Sequence, residues 1–110
     1  MSDEYAVSIG EGRTSARLEG ILRLATPIAY QAVLQPIQAC IEARPASFRL
    51  DMAGVTFMNS SGITALSRLV MAARAADVPL IAVVDDAVPW QRKTLSSLQR
   101  LYPKLQLETR

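Results

Sequence analysis

A run of small polar side chains stands between two apolar stretches, and it is the first place where this sequence could support chemistry. The run reads Asn59-Ser60-Ser61-Gly62 and is followed by Ile63. An Asn or Ser at a helix N-cap accepts a hydrogen bond from a free backbone N–H, which stabilises the helix by about 1 kcal/mol. Capping explains one polar residue but does not require three beside a glycine. A phosphate on Ser60 would place about two negative charges at the positive end of that helix, where such charges are tolerated.

Catalytic and metal-dependent chemistry is disfavoured by composition. The chain contains no histidine and one cysteine, Cys40. Ser-His-Asp and Cys-His catalytic arrangements and histidine-based metal sites therefore cannot be built. Cys40 lies among Val33, Ile37 and Ile41 at helical spacing, which indicates a buried, unreactive thiol. We expect no enzymatic activity, no metal and no cofactor.

Acidic residues follow two of the apolar runs, but they do not form a recognisable phosphate or metal site. Asp51 follows a short run, and Asp85-Asp86 follow a longer one. Receiver-type phosphoacceptor chemistry needs an acidic pair after the first strand, and this chain has none there. We interpret Asp51 as a carboxylate that stabilises a turn.

Length and charge set the broad class of protein. A chain of 110 residues with 50% apolar residues is the size and composition of one globular domain, here residues 1–110. The ten Arg and two Lys give a net charge of +2 and are scattered along the chain, so we expect no nucleic-acid binding. No apolar run reaches the roughly 18 residues of a membrane span, and the start resembles no signal peptide. We expect a cytoplasmic protein without a membrane span.

The elements before the polar run are predicted from periodicity and proline. Tyr5, Val7 and Ile9 alternate, a turn follows at residues 10–12, and a second strand surrounds Gly20, which predicts an N-terminal hairpin. Thr26-Pro27 then predicts an N-cap and the first residue of a helix over 28–43. Pro36 interrupts that helix, which is either kinked there or begins later.

The remaining elements alternate between strand and helix. A strand over 48–52 ends at a turn around Gly54, and a helix runs from the polar run to about Ala75. The continuous apolar run over 80–84 is typical of a strand covered on both faces. A third helix begins at Pro89-Trp90 and stops before Pro103, and residues 105–107 form an edge strand. This order predicts an α/β domain whose mixed sheet is mostly parallel, with an N-terminal hairpin and about three helices.

Arginine and tryptophan residues outside the polar run are further candidates for partner contact. Trp90 and Arg92 lie at the start of the third helix, and both residue types are frequent in binding hot spots. A tryptophan in such a position more often packs partly against the core. Arg68 and Arg74 lie at different angles to the apolar stripe of the second helix and are most simply solvent-exposed, although Arg68 belongs with the candidate partner surface.

The segment from Asp51 through Gly62, with Ile63 and Leu66 after it, resembles a known family. It is similar to the strand, Asp-Ser-Ser-Gly or Asp-Ser-Thr-Gly turn and helix of the STAS domain, which is named for sulphate transporters and anti-sigma factor antagonists. The resemblance extends from about Leu18 to Leu107. The stretch from Pro89 to Pro103 resembles a bacterial subgroup that also has an Asn-Ser-Ser-Gly-Ile turn.

This resemblance implies a regulatory function rather than catalysis. In the bacterial antagonists a serine kinase related to histidine-kinase ATPase domains phosphorylates the first hydroxyl residue of the turn, and a PP2C-type phosphatase removes the phosphate. The unphosphorylated antagonist binds the kinase, an anti-sigma-like protein, which then releases its target. By this resemblance Ser60 is the phosphoacceptor, Ser61 is a cap or secondary acceptor, and Gly62 lets a partner approach closely. The implied partner surface comprises Asn59, Ser60, Ser61, Gly62, Ile63, Arg68, Trp90 and Arg92.

Two departures from the family pattern leave alternatives open. Asn59 replaces the common aspartate before the serine, and Arg23 stands where many antagonists have an acidic residue. The first alternative is an unphosphorylated STAS scaffold or structural subunit in which the serines only cap and contact. The second is a module that binds a small anion or nucleotide at the same helix N-terminus.

Because no final helix follows the last strand, we also expect part of the sheet to be available to another chain, including a second copy in a homodimer.

Overall fold

Strands and helices alternate along the chain after an N-terminal hairpin. The computed structural model describes residues 4–110, in which five strands and three α-helices are formed. The hairpin has one 3-10 turn, Glu11–Arg13, between its strands. The elements are β1 (Tyr5–Ile9), β2 (Ser15–Leu22), α1 (Pro27–Glu42), β3 (Phe48–Met58), α2 (Ser60–Ala76), β4 (Leu80–Val84), α3 (Pro89–Leu98) and β5 (Leu105–Thr109).

The sheet has the strand order β1-β2-β3-β4-β5, which equals the order along the chain. β1 is antiparallel to β2, and the other neighbouring pairs are parallel. Crossovers between parallel strands are right-handed in nearly all proteins, and three of them in one direction place their helices on the same face of the sheet. The predicted α/β class, with its mixed sheet, hairpin and three helices, is confirmed.

Burial along the strands agrees with helices on a single face. In β2 the side chains of Ala16, Leu18 and Leu22 are buried, whereas Arg17 and Glu19 between them are exposed. The helical face joins one hydrophobic cluster that includes residues of α1, α2 and α3. Cys40 is part of that cluster and is buried, as predicted. No helix in the part of the chain that is described is long and apolar enough to cross a membrane.

α1 begins where the Thr26-Pro27 pair predicts. The Thr26 hydroxyl accepts a hydrogen bond from the Ala29 backbone N–H at 3.1 Å, and Pro27 occupies the first helical turn. The helix continues through Pro36, which is exposed, to Glu42. The alternative of a later start is therefore wrong, because the cap and the N-terminal proline together fix the first turn.

β3 does not turn at Gly54, which corrects the prediction made from that glycine. The strand continues to Met58. A Cβ atom at Gly54 would lie 2.9 Å from the Cβ atom of Glu19 on β2, so the glycine permits close approach of two strands. The register shifts beside this point, and Asp51 Oδ1 accepts a hydrogen bond from the Ala53 N–H at 3.0 Å. Asp51 thus stabilises an irregular strand instead of a turn.

β4 is buried as expected, but its second face is covered without a helix. Val83 is only 5% exposed, and Ile81 is half-buried. Arg49 of β3 reaches over β4 to Glu108 of β5, with nitrogen–oxygen distances of 2.8 and 2.5 Å. Arg49 is the register partner of Ile81, so this bridge crosses the face of β4 that carries Ile81. The cover of β4 is therefore a charged side-chain bridge.

Candidate functional site

α2 is capped by Asn59. The Asn59 Oδ1 atom accepts a hydrogen bond from the Gly62 N–H at 3.0 Å, and the Asn59 carbonyl accepts the first helical bond, from Ile63, at 3.1 Å. Ser60 is the first helical residue and Ser61 the second. The prediction of Ser61 as a cap is wrong, because its hydroxyl lies inside the first turn and faces the Ala25 carbonyl at 3.5 Å.

The Asn59 side chain also joins α2 to α1 and to the loop between β2 and α1. Its Oδ1 atom accepts a hydrogen bond from the Tyr30 hydroxyl at 2.7 Å, and its Nδ2 atom donates to the Leu24 carbonyl at 2.9 Å. The Leu24 N–H in turn donates to the Tyr30 oxygen at 3.3 Å. A carboxylate at position 59 could not donate to Leu24. The contacts therefore explain why asparagine stands where the resemblance leads one to expect aspartate.

Tyr30 is the buried partner in this network, and its side chain is fully inaccessible. Burial raises the pKa of the Tyr30 phenol, the hydrogen bond from the Leu24 backbone lowers it, and the nearby Tyr5 raises it further. The net direction is upward. The phenol therefore stays protonated at neutral pH and keeps its donor for Asn59.

Gly62 is buried, which corrects its predicted role in giving a partner access. A Cβ atom at this position would lie 2.5 Å from Cγ of Met58 and 2.9 Å from Cζ of Tyr30. Real Cβ atoms do not approach other atoms so closely, so any larger residue would displace the tyrosine. Gly62 makes room for a side chain of its own core instead of a partner.

Ser60 differs from its neighbours in being exposed and unused by the fold. Within residues 4–110 its hydroxyl makes no hydrogen bond, while its carbonyl accepts one from the Thr64 hydroxyl at 3.1 Å. The backbone N–H groups of Ser60 and Ser61 are likewise without an acceptor in this part of the chain. The first turn of α2 contains no acidic residue. A negatively charged group on Ser60 would thus meet unsatisfied donors and no opposing carboxylate.

Large apolar side chains of β2, β3 and α1 are exposed. Phe57 of β3 is 47% exposed, and Ile28 in the first turn of α1 is 74% exposed. Ile21, the cross-strand neighbour of Phe57, is 37% exposed. Ile21 and Phe57 are neighbours across β2 and β3, so they are the exposed apolar pair that a contact surface could use.

Of the other predicted partner residues, Ile63 and Arg68 lie on α2, and Trp90 and Arg92 lie on α3. Ile63 is half-buried and packs against the core, and Arg68 is exposed. Trp90 is half-buried, and its Nε1 atom donates to the carbonyl of Thr56, four residues before Ser60, at 3.2 Å. The structure thus places Trp90 beside the strand that leads to the turn.

Arg92 is held at a different part of the sheet. Its Nε atom contacts Asp86 at 2.7 Å, and a terminal guanidinium nitrogen donates to the Thr109 hydroxyl at 2.6 Å. Thr109 ends β5, two strands away from β3. The structure therefore does not bring Arg92 together with Ser60, and Arg92 instead ties α3 to the edge of the sheet.

Gln91 is a structural residue of this region that the motif does not reveal. It is fully buried, and its Nε2 atom donates to the carbonyls of Met52, Ala53 and Val55 at 3.0, 3.2 and 2.8 Å. Its Oε1 atom accepts from the Asp85 N–H at 2.7 Å. These carbonyls lie where β3 extends past its pairing with β4. The sequence carries one indication that Gln91 is buried, because positions 91, 95 and 98 lie on the same, apolar side of α3.

No protein-family model matches the chain, and no curated protein is significantly similar to it. The resemblance to the STAS domain accordingly stays a prediction from the residues. Among residues 4–110 no group of three or more His, Cys, Asp and Glu side chains is placed to hold a metal ion.

Proposed function

We propose that this chain is a non-enzymatic regulatory binding protein of the anti-sigma factor antagonist type, switched by phosphorylation of Ser60. One observation carries the proposal: the Ser60 hydroxyl is exposed and without a hydrogen-bond partner in residues 4–110, directly beside a cap whose polar atoms are all bonded. Its partners are a serine kinase related to histidine-kinase ATPase domains and a PP2C-type phosphatase, in the cytoplasm. The kinase and the phosphatase are expected from the STAS resemblance, and the cytoplasmic location is expected from the sequence pattern.

The electrostatics of the turn are compatible with such a switch. A phosphoserine brings about two negative charges, which are stabilised at a helix N-terminus by unsatisfied N–H groups and by the helix dipole. The cap at Asn59 does not involve the Ser60 side chain, so the modified protein keeps its fold. A partner that buries Ser60 would meet a desolvation cost and repulsion from its own acidic groups. Phosphorylation therefore lowers partner affinity while the domain stays folded.

A scaffold without phosphorylation is the second candidate, and Asn59 favours it. The Asn59 side chain is engaged by Gly62, Tyr30 and Leu24, so it does not orient or activate the Ser60 hydroxyl. In that case Ser60 and the exposed Ile28 and Phe57 are contact residues of a permanent complex. A small anion or nucleotide held by the open N–H groups of Ser60 and Ser61 is the other alternative.

Incubation with ATP and a serine kinase related to histidine-kinase ATPase domains, followed by intact-mass measurement, separates these functions. The switch predicts a gain of about 80 Da for one phosphate on the wild type. Ser60→Ala should abolish the gain, and Ser61→Ala, the matched neighbour, should retain it. A wild-type protein that gains no mass would favour the scaffold.

A further inference from the structure

β1 lies at one end of the sheet, so one of its edges has no neighbouring strand within residues 4–110. The Gly10 N–H donates to the Ser15 carbonyl at 2.9 Å, which extends the β1–β2 register by one hydrogen-bonded pair. In an antiparallel ladder such pairs alternate with pairs that exchange no hydrogen bond. The backbone groups of every second residue of β1 therefore point to the open edge, and these residues are Tyr5, Val7 and Ile9.

The open edge of β1 lacks the features that usually prevent strand pairing. No hydrogen bond joins the backbone of Tyr5, Val7 or Ile9 to a loop, a helix or a side chain in the described part of the chain. The strand contains no charged residue and no proline, which are common protections of an edge strand. We propose that β1 pairs antiparallel with β1 of a second copy of this chain, so that the two sheets become one. This goes beyond the proposed function, since Ser60 takes no part in the pairing.

The other edge of the sheet, β5, is protected where β1 is not. Glu108 lies within β5, and Lys104 directly precedes it. The Leu105 carbonyl accepts a hydrogen bond from Nε2 of Gln99 at 2.9 Å, and the Leu105 N–H donates to the Tyr102 carbonyl at 3.0 Å. Charge and side-chain cover therefore disfavour pairing at β5. Association through β1 alone stops at a dimer, because each copy has one such edge.

The sequence of β1 is complementary to itself. A two-fold axis at Val7 places Val7 opposite the second copy's Val7, and Tyr5 opposite the second copy's Ile9. All three edge-facing residues then lie in hydrogen-bonded pairs, which allows about six backbone hydrogen bonds. A shift of the register by two residues leaves one edge-facing residue of each copy without its pair. This symmetric register is therefore the one that we expect.

Side chains on both faces of the joined sheet fit this pairing. Tyr5, Val7 and Ile9 are half-buried and pack against the hydrophobic core, so the same three side chains of a second copy would extend that core. On the opposite face Ala6 meets Ser8 of the second copy, and both are small and uncharged. The net charge of +2 causes little repulsion between copies.

The small size of the contact sets the expected affinity. The strand has 5 residues, whereas a stable interface has roughly 20–30 residues a side. We therefore expect a reversible dimer with a dissociation constant on the order of 10–100 μM.

Sedimentation equilibrium of the full chain from about 1 to 300 μM tests the pairing. The mean mass should rise from 12.0 kDa toward twice that value. Val7→Pro removes the central N–H donor and should weaken association about tenfold or more. Leu107→Pro is the matched control, because the Leu107 N–H points to the open edge of β5, and it should dimerise like wild type. Neither N–H bonds to a neighbouring strand, so both variants should fold, which thermal melts establish.

Amide hydrogen exchange of the wild type, measured by NMR at both ends of this concentration range, locates the contact. The Tyr5, Val7 and Ile9 amides should exchange about threefold or more slowly at the high concentration, and the Leu107 amide should not change. This measurement decides the matter if Val7→Pro does not fold. Equal exchange of the three amides at both concentrations would overturn the proposal, as would dimers that Leu107→Pro abolishes and Val7→Pro does not. A mass that stays at 12.0 kDa throughout would also overturn it, and would leave the edge of β1 to a strand of another protein.

Discussion

Asn59 and Ser60 are adjacent but have opposite relations to the fold. The Asn59 side chain uses its oxygen for Tyr30 and Gly62 and its nitrogen for Leu24. The Ser60 hydroxyl is exposed and without a hydrogen bond in the residues that the structure covers. Substitutions at the two positions should therefore separate stability from partner binding.

Asn59→Asp should lower the free energy of unfolding by about 1–3 kcal/mol, because the Leu24 carbonyl loses its donor and faces a carboxylate oxygen. Urea denaturation at neutral pH measures this change. Ser60→Ala serves as the control and should stay within about 0.5 kcal/mol of wild type. An Asn59→Asp protein as stable as wild type would show that the nitrogen contact to Leu24 is dispensable.

Gly62→Ala should also destabilise the domain, by about 1–3 kcal/mol, because the added methyl overlaps Met58 and Tyr30. The loss should appear as a lower melting temperature. Ser61→Ala changes the neighbouring, half-exposed position and should have little effect. If Gly62→Ala melts like wild type but fails to bind the partner, the result would contradict the role of Gly62 in core packing and support its predicted role in partner access.

At the scale of elements, the long strand β3 depends on α3 as well as on its neighbouring strands. Beyond its pairing with β4, the carbonyls of Met52, Ala53 and Val55 receive their hydrogen bonds from Gln91. The Trp90 indole donates to the next carbonyl, that of Thr56. α3 therefore supports the end of β3 from which the Ser60 turn begins.

Gln91→Leu should lower the free energy of unfolding by about 2–3 kcal/mol, because a leucine of similar volume leaves the buried carbonyls without a donor. Gln106→Leu is the matched control, since Gln106 is exposed on β5. Its effect should stay within about 0.5 kcal/mol. Denaturant titration distinguishes the two, and equal stabilities would contradict the role given to Gln91.

At the scale of the whole molecule, two buried tyrosines should make the domain less stable at alkaline pH. Burial raises the pKa of both the Tyr30 and the Tyr102 phenols. A raised folded-state pKa means that the folded protein holds the proton to higher pH than the unfolded chain. The stability that these groups contribute is complete below the ordinary tyrosine pKa of about 10 and is lost as pH rises through the folded-state values.

We therefore expect the free energy of unfolding to be level from about pH 8 to 9 and to decrease above about pH 10. Urea titrations at a series of pH values measure the curve. Tyr30→Phe, which cannot ionise there, should show a shallower alkaline decrease from a lower starting stability. A wild-type curve that stays level to about pH 11 would contradict the linkage.

The order of elements was predictable because prolines, glycines and caps mark their ends. Thr26-Pro27 begins α1, and the break at residues 77–79 ends α2 before β4. The glycines were the main errors. Gly54 permits close contact of two strands, and Gly62 makes room for Tyr30. The sequence around a glycine does not reveal which distant residue will pack against it. The contacts of Gln91 and Arg92 were hidden for a related reason, since their partners are distant in sequence.

The affinity of the kinase for protein carrying phosphoserine at position 60, compared with unmodified protein, tests the central claim most directly. The account predicts that the phosphoserine form binds about tenfold or more weakly. It also predicts a melting temperature at least as high as that of unmodified protein, because the phosphate meets the open N–H groups of the α2 N-terminus. Equal affinities of the two forms would contradict the switch, as would a phosphoserine form that no longer folds.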